Sequence, residues 1–97
     1  MAGSYKMINS KILKVFYSKE LDMKTPNRID LVVMWWEGKK YPCLEYRRFY
    51  FVKKYDDWVA SKTVGIQSEQ FKIIIDNQEE IDKLLSIKLN PETGDEA

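Results

Sequence analysis

Nine of the thirteen aromatic side chains fall between residues 35 and 58: Trp35, Trp36, Tyr41, Tyr46, Phe49, Tyr50, Phe51, Tyr55 and Trp58. Interleaved with them are six cations, Lys39, Lys40, Arg47, Arg48, Lys53 and Lys54. Rings beside cations are what unpaired nucleobases require, because each ring stacks on a base for about 1–3 kcal/mol while the cations track phosphates. Neighbouring residues of a strand point to opposite faces, so Trp35 and Trp36 cannot fill one core, nor can Phe49 and Tyr50. One member of each pair therefore decorates a second face. A dimer interface, or a docking surface for another protein, uses the same residue types. Composition leaves all three open.

Other chemistry finds little footing. Histidine is absent, which removes the usual general base and the commonest transition-metal ligand. The single cysteine, Cys43, has no histidine partner for a zinc site or a thiol nucleophile, excludes an internal disulfide, and fits a reducing compartment. Asp56 and Asp57 are explained as turn residues. Gly38 and Gly65 stand too far apart for a phosphate-binding loop. The expectation is a binding protein and not an enzyme, with no metal and no cofactor.

The elements that must position these residues are an α+β set. Residues 11–17 are rich in β-branched and aromatic types and predict a strand. Residues 24–27 contain Pro26 and predict a turn. Ile29 to Trp36, apolar on both faces, predicts a central strand, and residues 37–40 a hairpin turn. Cys43 to Val52 predicts a third strand, with Pro42 just before it. Residues 55–57 predict a turn, and 62–66 a short fourth strand. At Ser68, a natural N-cap followed by Glu69, the period changes. Phe71, Ile74, Ile75, Gln78, Ile81, Leu84 and Leu85 then recur at helical spacing, which predicts one helix of about five turns over residues 69–85. Residues 90–97 are polar and acidic, and are expected to be a disordered tail after a single domain over 1–89. One helix on a four-stranded antiparallel sheet is thin for a monomer. Ile73 beside Ile74 and Ile75 widens the apolar stripe, so a homodimer is expected through Phe71, Ile74, Ile75, Ile81 and Leu85.

The net charge of +1 hides a split. Residues 1–67 carry thirteen basic against seven acidic side chains, and residues 68–97 three against eight. Such asymmetry fits one surface for a polyanion and another facing away from it. No apolar run reaches the length of a membrane span, and no signal-peptide core opens the chain. An intracellular setting is expected.

Over residues 45–85 the chain resembles the transcriptional positive cofactor four family of single-stranded-DNA-binding coactivators, a whirly-like group. The residues that carry this are Tyr46-Arg47-Arg48-Phe49-Tyr50, Lys62 to Ile66, Glu69-Gln70-Phe71 and Glu80-Ile81-Asp82, without a gap. Upstream, Trp36-Glu37-Gly38-Lys39 resembles the family's hairpin, with one residue inserted before Glu45. The resemblance implies a helix-mediated dimer with grooves for antiparallel single strands. It also implies DNA contacts at Trp36, Lys39, Arg47, Tyr50 and Lys62; Lys40 joins them as the neighbour of Lys39. The family's basic loop is replaced by residues 55–61, with Trp58 where a lysine is usual, and its serine-rich arm is absent. A bacterial or phage homologue, in cytoplasm or nucleoid, is at least as plausible as a nuclear coactivator. Strand parity puts Arg47 and Tyr50 on opposite faces unless a bulge intervenes.

The expected function is sequence-tolerant single-stranded DNA binding, or binding of locally unwound duplex, in transcription, replication or recombination. Two alternatives remain: an adaptor docking a polymerase or replication factor, and an RNA binder, because stacking does not read the 2′-hydroxyl.

Overall fold

The computed structural model describes residues 9–21, 24 and 26–97. Residues 5–24, mostly unassigned from sequence, are described only from Asn9 on, without 22 and 23; Thr25 of the expected turn lies outside the described residues. Four segments become strands: β1 (Ser10–Leu21), β2 (Asn27–Trp36), β3 (Cys43–Val52) and β4 (Asp57–Thr63). They form an antiparallel sheet in the order β1-β2-β3-β4. Two helices follow, α1 (Ser68–Asp76) and α2 (Gln78–Leu85).

β2 is central, as its apolar character requires. Asp30 to Trp35 are all buried, and their side chains alternate between two faces. Leu31, Val33 and Trp35 face the helices. Tyr17, paired with Leu31, feels Glu69 and Gln70 of α1, and Lys14, paired with Val33, bonds Glu80 of α2. Val32 and Met34 point the other way and cluster with Phe49. Each fully buried aliphatic side chain here contributes about 1.5–3 kcal/mol. β1, an outer strand, has two register shifts, after Ile12 and after Val15, which leave Leu13 and Phe16 as extra residues. Such bulges coil an edge strand and make it a poor template for further pairing.

Several expected boundaries move. The fourth strand begins at Asp57, not Lys62, because a 3-10 turn at Lys53–Tyr55 ends on Asp56 in the left-handed conformation and reverses the chain at once. Trp58, Val59 and Ala60, expected in a loop, are thereby strand residues. Pairing reaches Val64, whose N–H donates to Tyr46 O at 2.7 Å, and stops before Ile66. The helix N-cap is Gln67 and not Ser68, since the Gln67 N–H is taken by Oε1 of the buried Gln70 at 3.0 Å.

The single long helix is in fact two. Asn77 leaves helical geometry, and its Nδ2 donates back to Ile73 O at 2.8 Å. Asparagine favours such local bonds over the helical ladder. The break turns α2 so that Ile81 is buried where α2 meets β2 and β3.

The acidic end is not the loose tail its composition implies. Leu89 is buried, its N–H donates to Lys40 O at 2.7 Å, and it bridges to Glu96. Asn90 and Asp95 close the loop between them through a 2.8 Å backbone bond, and Asp95 pairs with Lys11 at 3.1 Å. That contact holds the Asp95 carboxyl below the usual range. Gly94, at φ +76°, lies flat on the Trp35 ring, where a Cβ would come within 2.6 Å of the indole. Only glycine combines that backbone with that approach. The acidic residues thus fold over the basic edge strand, on the same face as the helices.

Candidate nucleic-acid interface

Among the described residues, α1, α2 and the C-terminal hairpin all lie on one face of the sheet. The register assigns to the other face Arg28, Asp30, Val32, Met34 and Trp36 from β2. From β3 it assigns Cys43, Glu45, Arg47, Phe49 and Phe51, with Trp58 and Ala60 opposite the last two in β4. The buried Val32, Met34 and Phe49 form the floor, and Trp36, Trp58 and Ala60 pack around it.

Trp36 is half-buried, and two neighbours hold it. Its Nε1 donates to Glu45 Oε2 at 2.5 Å, and the Arg47 guanidinium lies 4.9 Å from the ring centroid. Arg47 in turn donates from Nε to Glu45 Oε1 at 2.7 Å, again from Nη2 to the same oxygen, and from Nη1 to Ser61 O. Cys43 Sγ donates to Glu45 Oε2 at 3.0 Å. One carboxylate therefore organises a tryptophan, an arginine and a thiol. Burial works against its charge, but the hydrogen bonds from Cys43, Trp36 and Arg47, with the charge of Arg47, outweigh burial and hold the carboxyl below its ordinary value. Burial first, and then the Glu45 contact, push the Cys43 thiol up to about 12, so it stays a neutral donor.

A second set stands at the other end of the same face. The Arg28 guanidinium lies 4.3 Å from the Trp58 centroid and 5.6 Å from that of Phe49. Trp58 also meets Phe51 edge-on at 5.6 Å. Arg28 Nε is 2.8 Å from Asp30 Oδ2 but off the N–H line, so the contact is an ion pair without a hydrogen bond. Asp30, buried, also accepts from Ser18 Oγ at 2.5 Å and sits directly across from Arg47.

The structure brings some of the expected residues together and separates others. Trp36 and Arg47 touch, and Lys39, exposed in the β2–β3 turn, is close enough for its charge to act on Cys43. Lys40 is exposed beside it. Lys62 is exposed on the outer strand β4, where the register to β3 slips. Tyr50, paired with Asn27 and Val59, points to the helix face: the slip between Arg47 and Phe49 falls in the pairing with β4, while the unbroken register with β2 keeps Tyr50 and Arg47 on opposite faces. Of the residues expected at a dimer contact, Phe71 and Ile75 are exposed and Ile74 and Leu85 half-buried, whereas Ile81 belongs to the core of its own chain. Ile66 joins the exposed pair.

Glu45, Arg28 and Asp30 are members of this candidate site that counting charges overlooks. The signal was present in spacing: Arg28-x-Asp30 and Glu45-x-Arg47 place opposite charges on one face two residues apart. Both arginines of this face are thus neutralised within the chain. On the rim of this face Lys39, Lys40, Lys53, Lys54 and Lys62 are exposed and have no ion pair to a described residue, as is also true of Arg48, half-buried, and of several lysines elsewhere on the chain.

Replacing Glu45 by glutamine is expected to cost on the order of 1–3 kcal/mol at neutral pH, through weaker charge-assisted bonds. A carboxyl whose folded pKa is depressed contributes stability above its unfolded value of about 4.3, and that contribution is lost as pH falls through the folded value. Glu45→Gln therefore unfolds with a flatter dependence on acid than the natural chain. Urea midpoints at neutral and acidic pH check this; parallel acid limbs contradict the role given to Glu45.

In comparisons with known proteins, no family model, no curated protein and no solved structure matches this chain.

Proposed function

We propose that this chain binds single-stranded nucleic acid, DNA foremost, on the helix-free face of its sheet. The observation that carries this is the Trp36 platform: an indole fixed by Glu45 and Arg47 beside the unpaired Lys39 and Lys40. A fixed ring loses little entropy when a base stacks on it, and rim lysines can follow phosphates without breaking an internal pair. Duplex hides the base faces that such a ring would use. The proposed role is sequence-tolerant binding in transcription, replication or recombination inside the cell, without catalysis. No helix among the described residues is long and apolar enough to cross a membrane.

A homodimer is part of this proposal. α1 exposes Phe71 and Ile75 one helical turn apart, an apolar strip that a second copy would cover, giving two equivalent binding faces in one particle; Ile66, shortly before α1 in the chain, is exposed as well. The same strip favours the second reading, an adaptor that docks another protein through α1.

A titration with single-stranded DNA, duplex and RNA of equal length, at two salt concentrations, tests the proposal, with light scattering of the free protein. Single strands are expected to bind tightest, with log affinity falling against log salt by about 0.7 for each phosphate neutralised. Equal affinity for duplex, or no salt dependence, would overturn it. A monomer at micromolar concentration would remove the dimer and leave α1 to the adaptor.

A further inference from the structure

The helix-free face carries the same set of residues at both ends of β3. At the β2–β3 turn stand Trp36, Arg47 over its ring, and the lysine pair Lys39 and Lys40. At the β3–β4 turn stand Trp58, Arg28 over its ring, and the lysine pair Lys53 and Lys54. In each set a carboxylate holds the arginine, Glu45 for one and Asp30 for the other. Between them lies the apolar floor of Val32, Met34 and Phe49, against which both tryptophans pack.

We infer that Arg28 and Trp58, with Lys53 and Lys54, form a second base-stacking subsite, so that one single strand runs along β3 from turn to turn. This rests on the nucleic-acid reading above. The motif alone makes each end competent: a ring or guanidinium plane for a base, and two free ammonium groups for the adjoining phosphates. The face supplies the path, because the ten residues of β3 span roughly 30 Å and the described helices lie on the opposite face of the sheet. That distance exceeds one nucleotide severalfold. A short oligonucleotide fills one end only, and a longer one gains the second as an intramolecular contact.

The test is a titration of the full chain with oligothymidylates bracketing about 4 to 16 nucleotides. Affinity is expected to rise steeply with length until both ends are filled. Trp58→Ala is expected to weaken the longest oligonucleotide about tenfold or more and to blunt that rise. Should Trp58→Ala not fold, Lys53→Gln with Lys54→Gln, both on the exposed turn, is expected to blunt the same rise and lower the salt dependence. If Trp36→Ala weakens binding while the Trp58 and Lys53/Lys54 variants match the natural chain at every length, the second subsite is wrong and the first reading stands. If no variant at either end changes affinity, the nucleic-acid reading itself falls.

Discussion

Trp35→Ala is expected to destabilise the fold by about 3–5 kcal/mol, a large share of what a domain of this size possesses. The indole is almost fully buried on the helix face, and three separate parts of the chain meet on it. Its Nε1 donates to Lys39 O at 2.8 Å and so ties down the β2–β3 turn. Gly94 of the C-terminal hairpin lies on the ring, and Lys11 Nζ sits 5.9 Å from its centroid. Truncation leaves a cavity, frees a carbonyl, and takes away the surface on which residues 90–97 fold. Urea unfolding measures the loss, and Trp35→Phe, which keeps part of the ring, should lie between the two. Below its unfolding midpoint the variant is expected to bind single strands about as well as the natural chain. A stable Trp35→Ala that no longer binds would mean that the two faces have been assigned the wrong way round.

The sheet was largely legible in the sequence, and its limits show why. Cys43 to Val52 is bounded by Pro42 on one side and the Lys53–Tyr55 turn on the other, and alternation of large and charged side chains marks both faces. β4 was displaced because the turn depends on a single residue, Asp56, adopting a left-handed conformation that aspartate tolerates but does not announce. The helix break was hidden because the apolar period continues across it: Ile74, Ile75, Ile81 and Leu85 fit one stripe whether or not Asn77 bends the chain. The hairpin over residues 90–97 depends on the fit of Gly94 to Trp35, a contact between segments about sixty residues apart that composition cannot express. Within the candidate site, parity alone separates Trp35 from Trp36 and Arg47 from Tyr50. What parity misses is pairing. Arg28 and Arg47 count as two positive charges in the sequence, yet each is held by a carboxylate on the same face, so the rim lysines and not the arginines supply the free charge.

That distinction shapes the expected behaviour of the proposed binding face. Trp36→Ala should weaken single-strand binding by roughly 1–3 kcal/mol while leaving the salt slope nearly unchanged, because a ring contacts bases without releasing counterions. Lys39→Ala and Lys62→Ala should each weaken binding and flatten the slope, by about 0.7 for each phosphate no longer neutralised. Arg47→Ala is expected to resemble Trp36→Ala more than the lysine variants. Its charge is already matched by Glu45 and shared with Ser61 O, so its removal chiefly frees the indole and leaves an uncompensated carboxylate near the strand's path. Tyr50→Ala serves as the control, since Tyr50 lies on the helix face and should spare both affinity and slope. Salt titrations of the five variants beside the natural chain distinguish these patterns. A flattened slope in Arg47→Ala would show that a phosphate displaces Glu45 from the guanidinium, making Arg47 a direct contact. Loss of binding in Tyr50→Ala, with Trp36→Ala unaffected, would move the site to the opposite face of the sheet.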